Sequence, residues 1–235
     1  MVQINLEARE ITLKIVYYGP ALSGKTTNLQ AVHQLMDANA RGRLMILDTS
    51  DDRTLFFDLM PVYFRSRSGF TVKVKLFTVP GQVMHNSTRR IVLQGADGVA
   101  FVADSQKEMA QANNDSWRDM QQNLRLNGLD PTTLPIVIQF NKRDMPDVRP
   151  DEELDEVARR GREKVFKAVA IRGDGVLETL EGILRMTWRS LDERYQLAEK
   201  LGIEEAEFVD NLLRRGGTPP APGAGPGQPG GGGAP

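Results

Sequence analysis

The eight residues Gly19-Pro20-Ala21-Leu22-Ser23-Gly24-Lys25-Thr26 carry the spacing Gly-x-x-x-x-Gly-Lys-Thr. Such a run binds phosphate only where it joins a strand to a helix. A β-branched and aromatic stretch over residues 11–18 precedes it, and Leu29, Val32, Leu35 and Met36 recur at helical spacing after it. In that setting the backbone N–H groups of the loop, those of Gly19, Ala21, Leu22, Ser23 and Gly24, converge with the helix N-terminus on an anion. Lys25 is expected to reach the β- and γ-phosphates and Thr26 to ligate Mg²⁺ through its hydroxyl. Thr27 is placed to meet the α-phosphate.

A second run, Asn141-Lys142-Arg143-Asp144, follows the apolar stretch 135–140. Ligands of open α/β sheets sit beyond the carboxyl ends of the strands. An aspartate there accepts two hydrogen bonds from the guanine N1–H and exocyclic amine, and adenine offers no such donor pair. Together the two runs predict a guanine nucleotide, GTP or GDP. Asn141 is expected to tie this segment to the phosphate loop, and Lys142 to lay its aliphatic stem over the base. Val169-Ala170-Ile171 closes a later strand, where a backbone N–H is expected to meet the guanine carbonyl oxygen.

Hydrolysis needs further groups. Thr78-Val79-Pro80-Gly81-Gln82 ends an alternating strand. Gly81 lets a backbone N–H approach the γ-phosphate. Gln82 is placed to orient the attacking water, the bland alternative being a surface residue at a helix start. Thr54 lies where its hydroxyl and carbonyl meet Mg²⁺ and the γ-phosphate. Arg53 is either an arginine finger supplied in cis or an exposed loop arginine, and its position alone does not decide.

The elements that would position these groups alternate strand and helix. Strands are expected over 11–18, 70–79, 98–103, 135–140 and 166–171. Helices are expected over 25–37, 82–94, 107–127, 151–161 and 176–194. Residues 43–47 read as a short strand or part of a switch. Residues 55–63 read as extended, with Pro61 breaking any ladder. The stretches 55–63 and 70–79 have no helix between them, so they form an antiparallel pair on an otherwise parallel sheet. The fold class is α/β, a mostly parallel central sheet with one antiparallel strand and helices on both faces.

Composition excludes other classes. The chain has 235 residues, 40% of them hydrophobic and 26% charged, with a net charge of −1, which gives no general attraction to nucleic acid or anionic membrane. There is no cysteine to carry a disulfide, a thiolate metal site or a prenyl or palmitoyl anchor. The start Met1-Val2-Gln3-Ile4-Asn5 is too polar for a signal peptide and lacks the second-position glycine of myristoylation. No apolar run reaches membrane-spanning length, so a cytoplasmic location without membrane insertion is expected.

On these residues the chain resembles the bacterial MglA family of Ras-like small GTPases. The matching stretches are Lys14-Ile-Val-Tyr-Tyr-Gly-Pro, Gly24-Lys-Thr-Thr-Asn-Leu-Gln30, Asp52-Arg-Thr-Leu-Phe-Phe-Asp58, Thr78-Val-Pro-Gly-Gln82, Asp97-Gly-Val-Ala-Phe-Val-Ala-Asp-Ser-Gln106 and Asn141-Lys-Arg-Asp144. The resemblance spans about residues 8 to 190. It implies a Ras-like P-loop GTPase fold and a GTP/GDP switch that governs cell polarity or gliding motility. It implies hydrolysis accelerated by a Roadblock-type GTPase-activating protein, effectors that bind the GTP form, and recruitment to a cell pole or motility complex. It also implies Arg53 as the intrinsic arginine finger, Thr54 as the switch threonine and Gln82 as the catalytic glutamine.

The chain departs from the pattern at three places. Thr78 stands where Ras-like proteins usually have an aspartate, so outer support for Mg²⁺ comes from water or another group; the family shares this. Ala21 stands where close relatives have glycine, and its methyl is placed to crowd Gln82 and slow hydrolysis. That leaves a slow-hydrolysing localisation scaffold as the alternative function. Beyond the GTPase domain, taken as residues 1–194, residues 195–215 read as an amphipathic helix broken at Gly202. Packing on its own domain is favoured over partner binding. Residues 216–235 are mostly Gly and Pro and form a passive tail rather than a docking segment. His33 and His85 lack metal-ligand spacing, and Trp117 and Trp188 read as packing residues.

Overall fold

The central strand of the computed structural model, which describes residues 1–47, 57–81 and 86–213, is the one that feeds the phosphate loop. This strand, β2 (Glu10–Tyr18), is preceded by β1 (Gln3–Asn5), which folds back on it antiparallel. After α1 (Lys25–Leu35) the chain forms β3 (Met45–Leu47), β4 (Phe57–Arg65) and β5 (Thr71–Thr78). Then come α2 (Asn86–Leu93), β6 (Gly98–Asp104), α3 (Ala110–Leu126), β7 (Ile136–Asn141), α4 (Asp151–Arg160), β8 (Lys164–Lys167) and α5 (Val176–Tyr195). Two short helices, α6 (Leu197–Leu201) and α7 (Glu205–Leu212), finish the described chain.

The sheet runs β3-β4-β5-β2-β6-β7-β8. β2 pairs parallel with β5 on one side and β6 on the other, so the strand order reverses at the carboxyl end of β2. A reversal there opens a crevice for ligands. β4 pairs antiparallel with both β5 and β3. Two apolar clusters fill the sheet's two faces. One gathers α1, α5 and the C-terminal helices around Ile11, Leu13, Ile15 and Tyr17. The other gathers α2, α3 and α4 around Val16, Tyr18, Val99 and Phe101. The fold is α/β, with a mostly parallel mixed sheet and helices on both faces. No helix among the described residues is long and apolar enough to cross a membrane.

Several boundaries differ from the sequence reading. Pro61 does not break the ladder: β4 runs through it to Arg65. Its carbonyl accepts the Gly42 N–H at 2.7 Å on the side away from β5, so the N–H that proline lacks faces that same edge rather than the ladder with β5. The strand expected over 166–171 is shifted to Lys164–Lys167. Beyond it, Val169 N–H turns to Asp174 O at 2.9 Å and Ala170 N–H to Asn141 Oδ1 at 2.9 Å, which takes the chain out of the sheet. The helix expected over 107–127 starts with a 3₁₀ turn, Lys107–Met109. The helix expected from residue 82 is described from Asn86. β1 had no signal, because its three residues are exposed and show no apolar face.

The C-terminal amphipathic pattern is broken twice, at Gln196 and Gly202, both with left-handed φ (56° and 63°). Leu197, Leu201, Ile203, Phe208, Val209 and Leu212 are buried in the first apolar cluster. Phe208 stacks on Trp188 at 4.4 Å and meets the edge of Phe64 on β4 at 6.4 Å. Glu205 then accepts from Arg189 at 2.6 and 2.9 Å and from Arg185 at 3.2 Å, pinning α7 to α5.

Candidate nucleotide site

The loop after β2 is shaped by backbone that most residues avoid. Gly19 (φ 149°) brings its α-carbon against Val102 O, where a Cβ would lie 2.1 Å away. Gly24 (φ 97°) abuts the Asn141 amide, where a Cβ would lie 2.2 Å from Nδ2. Only glycine fits either contact. Leu22 holds a left-handed φ of 61° and is exposed. The helix N-terminus that follows supplies unpaired N–H groups toward the cleft. Lys25, the first residue of α1, is buried and donates to Gly19 O at 3.0 Å and Pro20 O at 2.7 Å. Burial first, then the charge of Arg89, pushes its pKa down to about 7, with Asp58 opposing. An anion in the loop reverses that penalty.

Beside the loop lies a cleft of roughly 570 Å³, lined in part by Ala21, Gly24, Lys25, Thr26, Thr27 and Gly81. Asp58 and Thr78 line it too. Thr26 donates its hydroxyl to Asp58 Oδ2 at 2.6 Å, and Thr78 donates to the same oxygen at 2.9 Å. The Asp58 N–H returns a bond to Thr78 Oγ1 at 2.9 Å. Asp58 is a carboxylate beside Thr26 that the sequence reading did not name when it found threonine at position 78. The signal was present: Asp58 shares a strand face with Met60, Val62 and Phe64, which are buried. A carboxylate on a buried strand face needs a partner. Two hydroxyls around one buried carboxylate, at the mouth of an anion-binding loop, suit Mg²⁺, which keeps waters and uses few protein ligands. Among the described residues no group of three acidic, histidine or cysteine side chains forms a metal cage.

The 141–144 segment lies against the loop. Asn141, at the end of β7, donates Nδ2 to Ser23 O at 2.8 Å and accepts the Ala170 N–H on Oδ1 at 2.9 Å. One side chain thus joins the phosphate loop, the 141–144 segment and the 168–171 segment. Lys142 has a φ of 64°, and its Nζ is held at 2.6 Å by buried Asp104, a buttress the sequence reading did not assign. Asp144 is exposed at the end of this segment. The Val169 and Ala170 amides are spent on Asp174 O and Asn141 Oδ1. Among the described residues the Ile171 amide has no such acceptor, so of the three amides in this run it is the one left free.

Arg53, Thr54, Gln82 and His85 lie outside the described residues. Gly81, just before them, packs so closely on the loop that a Cβ would meet Ala21 Cα at 2.4 Å and Ala21 N at 2.6 Å. His33 is tied to Arg41 at 2.8 Å. Trp117 and Phe101 pack in a T-shaped arrangement, ring centres 5.0 Å apart, and Trp188 is buried. A second cleft of roughly 380 Å³ lies behind the loop, beside Pro20, Gly81, Arg89 and Asp119. Arg89 donates Nε to Asp119 at 2.8 Å, and the Tyr18 hydroxyl donates to the same carboxylate.

Over 188 residues the chain is 44% identical to the mutual gliding-motility protein MglA of Myxococcus xanthus (strain DK1622), a match that covers 80% of this chain and 96% of that relative. No protein-family model matches the chain. With this identity over nearly the whole relative, and with the loop, cleft and base segment assembled at one sheet edge, the chain belongs to the MglA family of Ras-like small GTPases.

Proposed function

We propose that the chain is a molecular switch that binds GTP and GDP and hydrolyses GTP to GDP and phosphate. The observation that carries the reading is the Asn141 side chain, which joins Ser23 of the phosphate loop to Ala170 of the base loop. A nucleotide is the ligand whose two ends need those two loops at a fixed spacing. The loop N–H groups and Lys25 hold the β- and γ-phosphates, Thr27 meets the α-phosphate, and Asp144 selects guanine. The Ile171 amide takes the guanine carbonyl oxygen, in place of Val169 or Ala170. Thr26 and Thr54 hold Mg²⁺ with Asp58 behind Thr26. When bound, the ion neutralises charge on the β- and γ-phosphates. Gly81 N–H faces the γ-phosphate, Gln82 orients the attacking water, and Arg53 stabilises the charge that develops in the transition state.

Hydrolysis without help is slow, on the order of 10⁻⁴ s⁻¹ as in small GTPases lacking an activator. A Roadblock-type activating protein accelerates it, and effectors bind the GTP form. By analogy with the gliding-motility protein it resembles, the switch serves motility or cell polarity from the cytoplasm, with recruitment to a pole or motility complex. The close packing of Gly81 on the Ala21 backbone supports a second reading, a slow-hydrolysing scaffold, because the Ala21 methyl extends from that same Cα. Nucleotide binding and phosphate release, measured with and without a Roadblock partner, test both. Preference for ADP over GDP overturns the base assignment, and no release with the partner leaves the scaffold reading standing.

A further inference from the structure

Gln139 sits in the middle of β7 among Val137, Ile138 and Phe140, and it is fully buried. Its Nε2 donates to Asn28 Oδ1 and to Thr179 Oγ1, each at 2.9 Å. Asn28 Nδ2 donates in turn to Gly24 O at 2.9 Å, and Thr179 Oγ1 to Gly175 O at 2.7 Å. Asn28 and Thr179 are also fully buried. An apolar trio would fill this space with no desolvation cost, so the polar one needs a reason.

The direction of every bond follows from the two ends. Backbone carbonyls only accept. Asn28 therefore turns its nitrogen toward Gly24 and presents its oxygen inward. Thr179 spends its one hydrogen on Gly175 and presents lone pairs inward. Two acceptors then face one side chain, and an amide NH₂ supplies both hydrogens from a single atom. Gln139 Oε1 has no partner among the described residues, so the amide is held by its two donors alone.

The ends are the two turns that frame the site. Gly24 carries the phosphate loop into α1. Gly175 (φ 72°) carries the 168–174 loop into α5, and a Cβ there would lie 2.0 Å from Lys167 O. Gln139 is two residues before Asn141 on β7, on the same face, so its bonds run directly beneath the Asn141 bridge. We propose that Asn28, Gln139 and Thr179 are positioning residues that fix the spacing between the phosphate loop and the base loops, and so set how long a guanine nucleotide stays and how well it is told from one lacking the exocyclic amine. None of the three touches the nucleotide. The inference rests on reading this cleft as a guanine-nucleotide site.

The test uses the full chain with Mg²⁺, fluorescent GDP for dissociation rates, and GDP and IDP affinities. Gln139→Met and Thr179→Val remove the relay with little change of shape; Thr179→Ser keeps the hydroxyl. Gln139→Met and Thr179→Val are expected to release GDP about tenfold faster, the effect of one lost buried hydrogen bond, while Thr179→Ser stays within about twofold of wild type. The ratio of IDP to GDP dissociation constants is expected to shrink in the first two variants. Thermal unfolding without nucleotide identifies a variant that has not folded, and the other variant then carries the test. Release rates unchanged in both variants overturn the inference. So does an equal loss for GDP and IDP, which is what a merely softened fold produces, or a Thr179→Ser loss as large as that of Thr179→Val. A wild-type chain that binds no guanine nucleotide overturns the site reading, and this inference with it.

Discussion

The Thr26 hydroxyl donates to the Asp58 carboxylate across 2.6 Å, joining the first turn of α1 to the edge-side strand β4. The same oxygen accepts from Thr78, so Asp58 is the carboxylate beside Thr26 that a threonine at 78 does not supply. Asp58→Asn keeps the shape and removes the charge. Outer-sphere carboxylates typically carry about 10- to 100-fold in metal affinity. The Mg²⁺ concentration that half-protects bound GDP from release is expected to rise by about tenfold or more in this variant. Mg²⁺ titrations of GDP release that superimpose on wild type would remove Asp58 from the metal's support.

Asp144 is exposed and takes no part in the core, so its loss should act on the ligand rather than the fold. If Asp144 reads guanine as proposed, Asp144→Ala deletes two hydrogen bonds to a charged acceptor, each worth about 1.5–3 kcal/mol. GDP affinity is expected to fall by roughly 10²-fold or more, with ADP affinity hardly changed. Calorimetric titration with both nucleotides checks this. Equal losses for the two would mean that the carboxylate does not read the base.

How far the site was legible depended on where its partners sit in the chain. The phosphate loop and the 141–144 segment are local runs, and their contexts, strand before and turn after, can be read from periodicity. Asp58 and Gln139 were legible in principle, since each is a polar residue on an otherwise buried strand face. Their partners were not, because Thr26 and Thr78, or Asn28 and Thr179, come together only through strand order and register. Which amide of the 169–171 run is left free was hidden for a related reason. It follows from the side chain of Asn141, far away in sequence, capturing the Ala170 amide. In the fold, β1 was invisible because three exposed residues carry no pattern. Pro61 misled because its missing N–H faces the edge of β4 away from β5.

Ala21 and Gly81 meet so tightly that their backbones leave no room for a side chain on residue 81. The Ala21 methyl is carried by the same Cα that Gly81 approaches. Ala21→Gly removes the methyl without altering the cradle of N–H groups. Single-turnover hydrolysis is expected to quicken by about tenfold, about 1.4 kcal/mol of barrier, with GDP affinity within about twofold of wild type. An unchanged rate would show that Ala21 is not the brake.

Phe208 is fully buried between Trp188 and Phe64, so the C-terminal helix is part of the core and not an appendage. Phe208→Ala is expected to cost about 3–5 kcal/mol of unfolding free energy, measured by urea denaturation of the nucleotide-free chain. A cost below about 1 kcal/mol, in the range of exposed surface substitutions, would mean that α7 does not stay docked.

Glu205 fastens the same helix electrostatically. The Arg189 guanidinium, and after it Arg185, holds the Glu205 carboxyl below its usual value of 4.5. A carboxyl depressed on folding adds stability above the unfolded value, and that contribution is lost as pH falls through the folded one. The difference in stability between wild type and Glu205→Gln is therefore expected to be largest near neutral pH and to fade below about pH 4.5. It should also shrink in high salt, because Arg189 is largely exposed. Denaturation curves for both proteins from acid to neutral pH check this. A difference that persists unchanged at pH 3 would assign the effect of Glu205 to packing rather than to its charge.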